Sequence, residues 1–207
     1  MDRRQYTPSS ARNRGPILQA LRERLPAPGT FLEIASGSGE HAVHFAPHLA
    51  DHKWQASNHE QDQLDSVYGW LAHSPAPNLL PPLKLDATAP LWPVELPDYA
   101  APPVTGVFNA NMIHIAPWPV CQGMMAGAGR VLVDRGRLFL YGPYKVGGIH
   151  TAETNAEFDL WLKSKNPDFA IRDQDDVIHE AATHGLVHLE AYPMPANNFL
   201  QIFEKRA

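Results

Sequence analysis

The sequence predicts an α/β fold, a mostly parallel seven-stranded sheet with helices on both faces and an antiparallel hairpin at the C-terminal end. Three observations carry this. Short apolar runs alternate with helical repeats from Phe31 to Gly185. The first run leads into two glycines one residue apart, in Phe31-Leu32-Glu33-Ile34-Ala35-Ser36-Gly37-Ser38-Gly39-Glu40-His41. Two final runs, Leu186 to Tyr192 and Phe199 to Glu204, flank Pro193-Met194-Pro195-Ala196-Asn197-Asn198 and read as a hairpin.

Taken in order, Met1 to Asn13 are polar and expected to be flexible unless a ligand or the domain surface orders them. Gly15-Pro16 opens a helix with Ile17, Leu18, Leu21 and Leu25 at helical spacing, stopped by Pro26 and Pro28. The first strand and glycine turn follow, then a helix from Glu40 to Leu49. It carries His41, His44 and His48, with His52 just beyond, but it has no acid at ligand spacing and Pro47 interrupts it, so no metal site is expected. Lys53 to Ser57 reads as a second strand ending at Asn58, and Gln61 to Ala72 as a helix turning Leu64, Val67, Tyr68 and Leu71 inward. Prolines crowd Ser74 to Pro103, leaving a short third strand, Pro82 to Leu85, ended by Asp86. Val104 to Ala110 is a fourth strand, Pro119 to Arg130 a helix, and Leu138 to Tyr141 a fifth strand entered through Gly136. An insert then holds a helix from Thr154 to Lys163, with Phe158, Trp161 and Leu162 as its apolar side, and a helix N-capped by Asp173 and closed by Gly185.

Composition narrows the function. With 207 residues, 44% of them hydrophobic, the chain can bury the core of one domain. A net charge of −5, with both signs interspersed, favours neither a nucleic-acid surface nor an anionic membrane. A single cysteine, Cys121, excludes an intrachain disulfide. No apolar run approaches the ~18–20 residues of a membrane span, and Met1-Asp2-Arg3-Arg4-Gln5 does not open a signal-peptide core, so a cytoplasmic protein is expected.

The glycine turn admits two cofactors. Gly37-x-Gly39-x-x-Ala42 matches a dinucleotide fingerprint, with Glu60 about 20 residues on to take a ribose hydroxyl. Glu33, four residues before Gly37, adds a negative charge that a pyrophosphate would not welcome. S-adenosyl-L-methionine, with its ammonium, sulfonium and ribose diol, suits an acid there. Further on, Asn111 and His114 stand just past the fourth strand, where open α/β sheets bind ligands.

These residues carry a closer resemblance. Leu32 to His41, Arg12-Asn13-Arg14-Gly15-Pro16-Ile17-Leu18, Tyr141-Gly142-Pro143-Tyr144, Asn155 to Asp159, Asn166-Pro167, Arg172-Asp173 and Met194 to Asn198 together resemble the DUF938 family, the relatives of methyltransferase-like protein 26. That family lies within the Rossmann-like class I S-adenosylmethionine-dependent methyltransferases. The resemblance runs over nearly the whole chain and implies one domain over residues 1–207, with 1–14 as a lid. It implies S-adenosyl-L-methionine held by Glu33, Ala35, Ser36, Gly37, Gly39, His41, Asn58 or Glu60, Asp86, Ala87, Asn109 and Asn111. It implies methyl transfer to a small polar acceptor in a pocket of Arg12, Asn13, Tyr141, Tyr144, Asn155, Phe158, Arg172, Asn197 and Asn198. His114 is the expected base, with Tyr144 beside it. Two positions depart from the usual pattern: Ala35 stands where a glycine is common, and Asn58 where an acid is usual. A non-catalytic cofactor- or partner-binding protein is the alternative. An NAD(P)-dependent oxidoreductase ranks lower, on the reading that no catalytic Tyr-x-x-x-Lys pair is evident.

Overall fold

A computed structural model describes residues 2–207. Nine strands and six helices are named here in chain order. β1 (Thr30–Glu33), β2 (Lys53–Asn58), β3 (Leu79–Lys84), β4 (Val104–Ala110) and β5 (Arg137–Gly142) run parallel, in the order β3-β2-β1-β4-β5. β8 (Leu186–Met194) and β9 (Asn198–Lys205) form the final hairpin, and β9 inserts antiparallel between β5 and β8. β6 (Lys145–Val146) and β7 (Ile149–His150) make a separate small ribbon that the sequence reading missed, because two-residue strands have no period to detect.

Alternation along the strands builds two cores. Leu32, Val107 and Leu138 face one layer with Trp92 and the helices α4 (Trp118–Val131) and α6 (Gln174–Ala182). Their neighbours Phe31, Phe108 and Phe139 face the other, against α1 (Pro8–Arg22) and α2 (Glu40–Phe45). On that side the rings of Phe31 and Trp54 stack with centroids 5.4 Å apart, and Phe45 meets Phe108 edge-on at 5.7 Å. β3 contains Pro81 and Pro82 and lies at the sheet edge, where a missing N–H does least harm; it begins earlier than expected, at Leu79.

Three expectations are corrected. The described residues before Pro16 are ordered by the domain surface, and the first helix begins earlier than expected; Met1 lies outside the described residues. Pro8 opens α1, and Pro16 lies inside it. An interior proline costs about 3 kcal/mol, but burial of Ile17, Leu18 and Leu21 returns roughly 1.5–3 kcal/mol each, so the helix continues. Ahead of it the chain docks on α3 (Gln61–His73): the Gln5 N–H donates to Ser66 Oγ at 2.8 Å, Trp70 Nε1 donates to the Gln5 carbonyl at 3.2 Å, and Arg4 lies over the Trp70 ring. Tyr68 is exposed, not inward. On α5 (Glu153–Lys165) the buried residues are Asn155, Asp159 and Leu162, while Phe158 and Trp161 face outward as a stacked pair. No helix among the described residues is long and apolar enough to cross a membrane.

Packing between α4 and the loop before β4 leaves no spare volume. A Cβ at Gly127 would stand 1.9 Å from Trp92 Cζ2. Gly127→Ala should therefore destabilise the chain by about 1–3 kcal/mol, seen by circular dichroism as a melting temperature lower by roughly 2–12 °C.

Candidate functional site

The site forms at the carboxyl ends of the parallel strands, beginning with the turn from β1 to α2. Ala35 (φ 54°), Gly37 (φ 56°) and Gly39 (φ 86°) all adopt the left-handed conformation. For an alanine this costs roughly 1–2 kcal/mol, so surroundings must hold the turn. They come from β2. The Ser36 N–H donates to the Ser57 carbonyl at 2.8 Å, and the Asn58 amide grips Gly37 twice, accepting from its N–H at 2.8 Å and donating to its carbonyl at 3.3 Å. Asn58, expected at a ribose, is thus committed to the loop. A Cβ at Gly37 would meet nothing within 4 Å, so the loop presents bare backbone to open space.

Behind the loop lies a buried polar layer. Glu33 is buried, accepts from Trp54 Nε1 at 2.9 Å and lies 3.8 Å from His41 Nδ1. Burial pushes its carboxyl up to about 7. Burial also pushes His41 down to about 4, helped by His44 and Arg14, and its Nε2 lies 2.8 Å from Asn13 Oδ1 on α1. His44 and His48 sit together on the outer side, rings 5.3 Å apart, and His52 is buried against Phe31.

Along the same edge, Asn109 is fully buried and donates to the Ile34 carbonyl at 2.8 Å, leaving its Oδ1 unpartnered among the described residues. Asn111 adopts φ 64°, and its N–H donates to the Tyr141 carbonyl at 2.8 Å. Glu60 is exposed two residues past β2, beside His59. Asp86 is exposed two residues past β3, its Oδ1 accepting from Thr88 N–H and Oγ1, which holds its pKa below the usual range; Ala87 next to it is buried.

Facing this edge is a cleft of about 880 Å³. It brings together Arg12, Asn13, Tyr141, Asn155, Phe158, Asn197 and Asn198 of the expected pocket, and Asn111. Asn155 donates to the Asn197 carbonyl at 3.1 Å, joining α5 to the hairpin turn. Asn198 donates to the carbonyls of Pro195 and Ala196, stiffening that turn where Ala196 and Asn197 have φ 57°.

Three expected residues lie elsewhere. Arg172 donates to the carbonyls of Ile113, Ala116 and Asp168 and lies over Trp118, so it stitches the loop after β4 and does not line the cleft. His114 and Tyr144, the expected base and its neighbour, are both buried in the core with rings edge to face at 5.1 Å. His114 Nδ1 accepts from the Arg172 N–H at 3.3 Å, and burial with the nearby Arg172 charge pushes its pKa down to about 3. Neither is among the residues that line the cleft. Trp161, Thr154 and Pro143 line it and went unread. The signal was the spacing 154, 155, 158 and 161 on one helical face, which mixes polar and aromatic residues as a wall does. Tyr141 and Lys145 do stand four apart, contrary to the reading that no such pair exists, but at a strand end, with Lys145 Nζ 3.3 Å from Asp159.

The buried imidazole sets a pH dependence. The unfolded chain protonates His114 near 6.5 and the folded chain only near 3, so folding loses protons in that window and this contribution to stability rises with pH from about 3 to 6.5. His114→Asn keeps an acceptor near Nδ1 but cannot titrate. Denaturant titrations from pH 4.5 to 7 should show a shallower rise for the variant than for the parent, whatever its overall loss.

Comparison with known proteins agrees with this architecture. The model of a family described as protein of unknown function, DUF938, matches residues 4–205. Among solved structures, human N-acetylserotonin methyltransferase in complex with S-adenosylmethionine is 12% identical, with a TM-score of 0.76 over 96% of this chain and 53% of that one. An O-methyltransferase family 2 protein from Planctomyces limnophilus in complex with apigenin is 18% identical, with a TM-score of 0.75 over 95% and 60%. A putative O-methyltransferase from Nostoc punctiforme is 14% identical, with a TM-score of 0.77 over 96% and 57%. The chain thus spans between half and two thirds of the length of these structures, and at such identities the likeness is one of fold. With its family model matched from residue 4 to residue 205, the chain belongs to the DUF938 family, and its fold is that of the class I methyltransferases.

Proposed function

We propose that this chain is an S-adenosylmethionine-dependent methyltransferase acting on a small molecule. The observation that carries it is the bare backbone at Gly37, held in the left-handed conformation by Asn58 and opening onto the carboxyl ends of β1, β2 and β4. The donor set fits the cofactor. Asn109 keeps a buried acceptor unpartnered among the described residues, and acids stand two residues past β2 and β3. In this reading Gly37, Asn109 and Asn111 hold the methionine end, Glu60 takes the ribose diol because the Asn58 amide is spent on Gly37, and Asp86 with Ala87 borders the adenine. Bound there, S-adenosylmethionine supplies a methyl group on a positively charged sulfur. The residues of the cleft orient the acceptor, and holding reacting atoms in line supplies most of the acceleration. Resemblance of fold to O-methyltransferases supports the reading without extending it to a substrate.

Calorimetric titration with S-adenosylmethionine, S-adenosylhomocysteine and NAD tests it. The first two should bind and NAD should not; Gly37→Val should abolish binding, since its side chain fills the space the ligand needs. Binding of NAD alone would overturn the proposal. Replacing Glu60 by Gln should weaken S-adenosylhomocysteine about tenfold or more, the loss of a hydrogen bond to a charged acceptor; an unchanged affinity would remove Glu60 from the ribose.

A further inference from the structure

The cleft described above contains an imbalance. Among the described residues its wall holds amides, hydroxyls, rings and prolines, and Arg12 is the only formally charged one; no described Asp, Glu, His or Lys lines it. This is unusual on a chain whose net charge is −5. We propose that the cleft takes a flat aromatic acceptor that arrives already ionised, with Arg12 meeting its charge and the Phe158–Trp161 pair its ring. The inference rests on the methyltransferase reading for its chemistry, though not for its binding.

The rings of Phe158 and Trp161 are nearly parallel, 15° apart with centroids at 5.7 Å, and 38% and 52% exposed. Lys165 Nζ lies 5.4 Å from the centre of the Trp161 ring, so positive charge also borders the aromatic wall. Large apolar side chains left exposed side by side in a concave surface mark a binding face. A ring stacks on such a face at little entropic cost because both partners are rigid.

Among the described residues, the charged neighbours of this wall leave no base. From α1, Arg14 bears on His41 and His44. From α2, Glu40 accepts from the Thr7 N–H and Ser38 Oγ, and His41 is occupied by Asn13. From β5, Tyr141 is held above its usual range by burial and so stays protonated, with no free phenolate to act as a base. On α5, Asp159 is turned away toward Lys145, His150 and Lys163, while Glu153 and Glu157 are exposed outside the cleft lining. The hairpin turn 195–198 carries no charge. An acceptor needing deprotonation would find no partner here, whereas a carboxylate, thiolate or acidic phenolate needs none. In the transfer its anionic oxygen or sulfur forms the bond to the methyl carbon as the carbon–sulfur bond breaks. The two opposite charges cancel, and no proton is released.

The test is quenching of tryptophan fluorescence in the full chain, with and without S-adenosylhomocysteine, by benzoate, 4-coumarate and thiosalicylate, each against its neutral amide or methyl ester. The anions should saturate and their neutral twins bind at least tenfold more weakly. Arg12→Gln should erase that difference. Trp161→Phe should remove most of the quenching while calorimetry still detects the anion. Equal binding of anion and neutral twin, an Arg12→Gln variant that still discriminates, or no binding by any probe would each overturn the assignment. If the anions bind as expected but S-adenosylmethionine does not, the methyltransferase reading fails and the cleft assignment stands. Where both bind, release of S-adenosylhomocysteine should follow the ionised fraction of each acceptor with pH; a pH limb that stays fixed when the acceptor changes would reveal an enzyme base and overturn the inference.

Discussion

Three left-handed residues within five positions leave the turn after β1 with one backbone hydrogen bond of its own, from the Gly39 N–H to the Ser36 carbonyl at 3.0 Å. Ala35, Gly37 and Gly39 break any regular hydrogen-bonding pattern, so the turn borrows its rigidity from β2, through Ser57 and above all the Asn58 amide. Much of the rest depends on that arrangement. Ser66 on α3 donates to the Ser38 carbonyl at 2.7 Å and accepts from the Gln5 N–H, so one hydroxyl joins the turn, a helix and the N-terminal segment. Glu40, one residue past the turn, accepts from the Thr7 N–H just ahead of α1. The helix that walls the cleft is therefore anchored to the loop beneath it.

A second constraint runs through the buried layer. Glu33 at the end of β1 is desolvated yet hydrogen-bonded, and the line from Glu33 past His41 to Asn13 leads from the sheet to α1. Burial favours the neutral form of both groups, raising the acid and lowering the imidazole, so each can remain inside without an ion pair. The same logic explains His114. Its proton affinity is suppressed by the same burial that makes it a good packing partner for Tyr144.

Much of the fold was legible because its signals are local. Alternation at Phe31-Leu32 and Val107-Phe108, the Gly37-Gly39 pair and the hairpin turn before Asn198 each declare themselves within a few residues. The exceptions follow from competition with tertiary packing. Pro16 reads as a helix start, but burial of the residues after it outweighs the lost hydrogen bond and the helix begins at Pro8. Phe158, Trp161 and Leu162 read as one apolar side of α5, but only Leu162 is buried, and the exposure of the two rings depends on α5 presenting Leu162 and Asp159 inward.

By itself, then, the sequence determined the α/β class, the place of the glycine turn, the terminal hairpin and the side of the sheet at which chemistry-bearing residues gather. Tertiary structure alone decided how each polar side chain is spent. Asn58 is claimed by Gly37 from 21 positions away, Asn13 by His41 across 28, and Arg172 by Ile113 across 59. Periodicity and turn chemistry act between neighbours in the chain, whereas a hydrogen-bond partner is whatever polar group the packed fold brings within about 3 Å, and that distance carries no trace in local sequence.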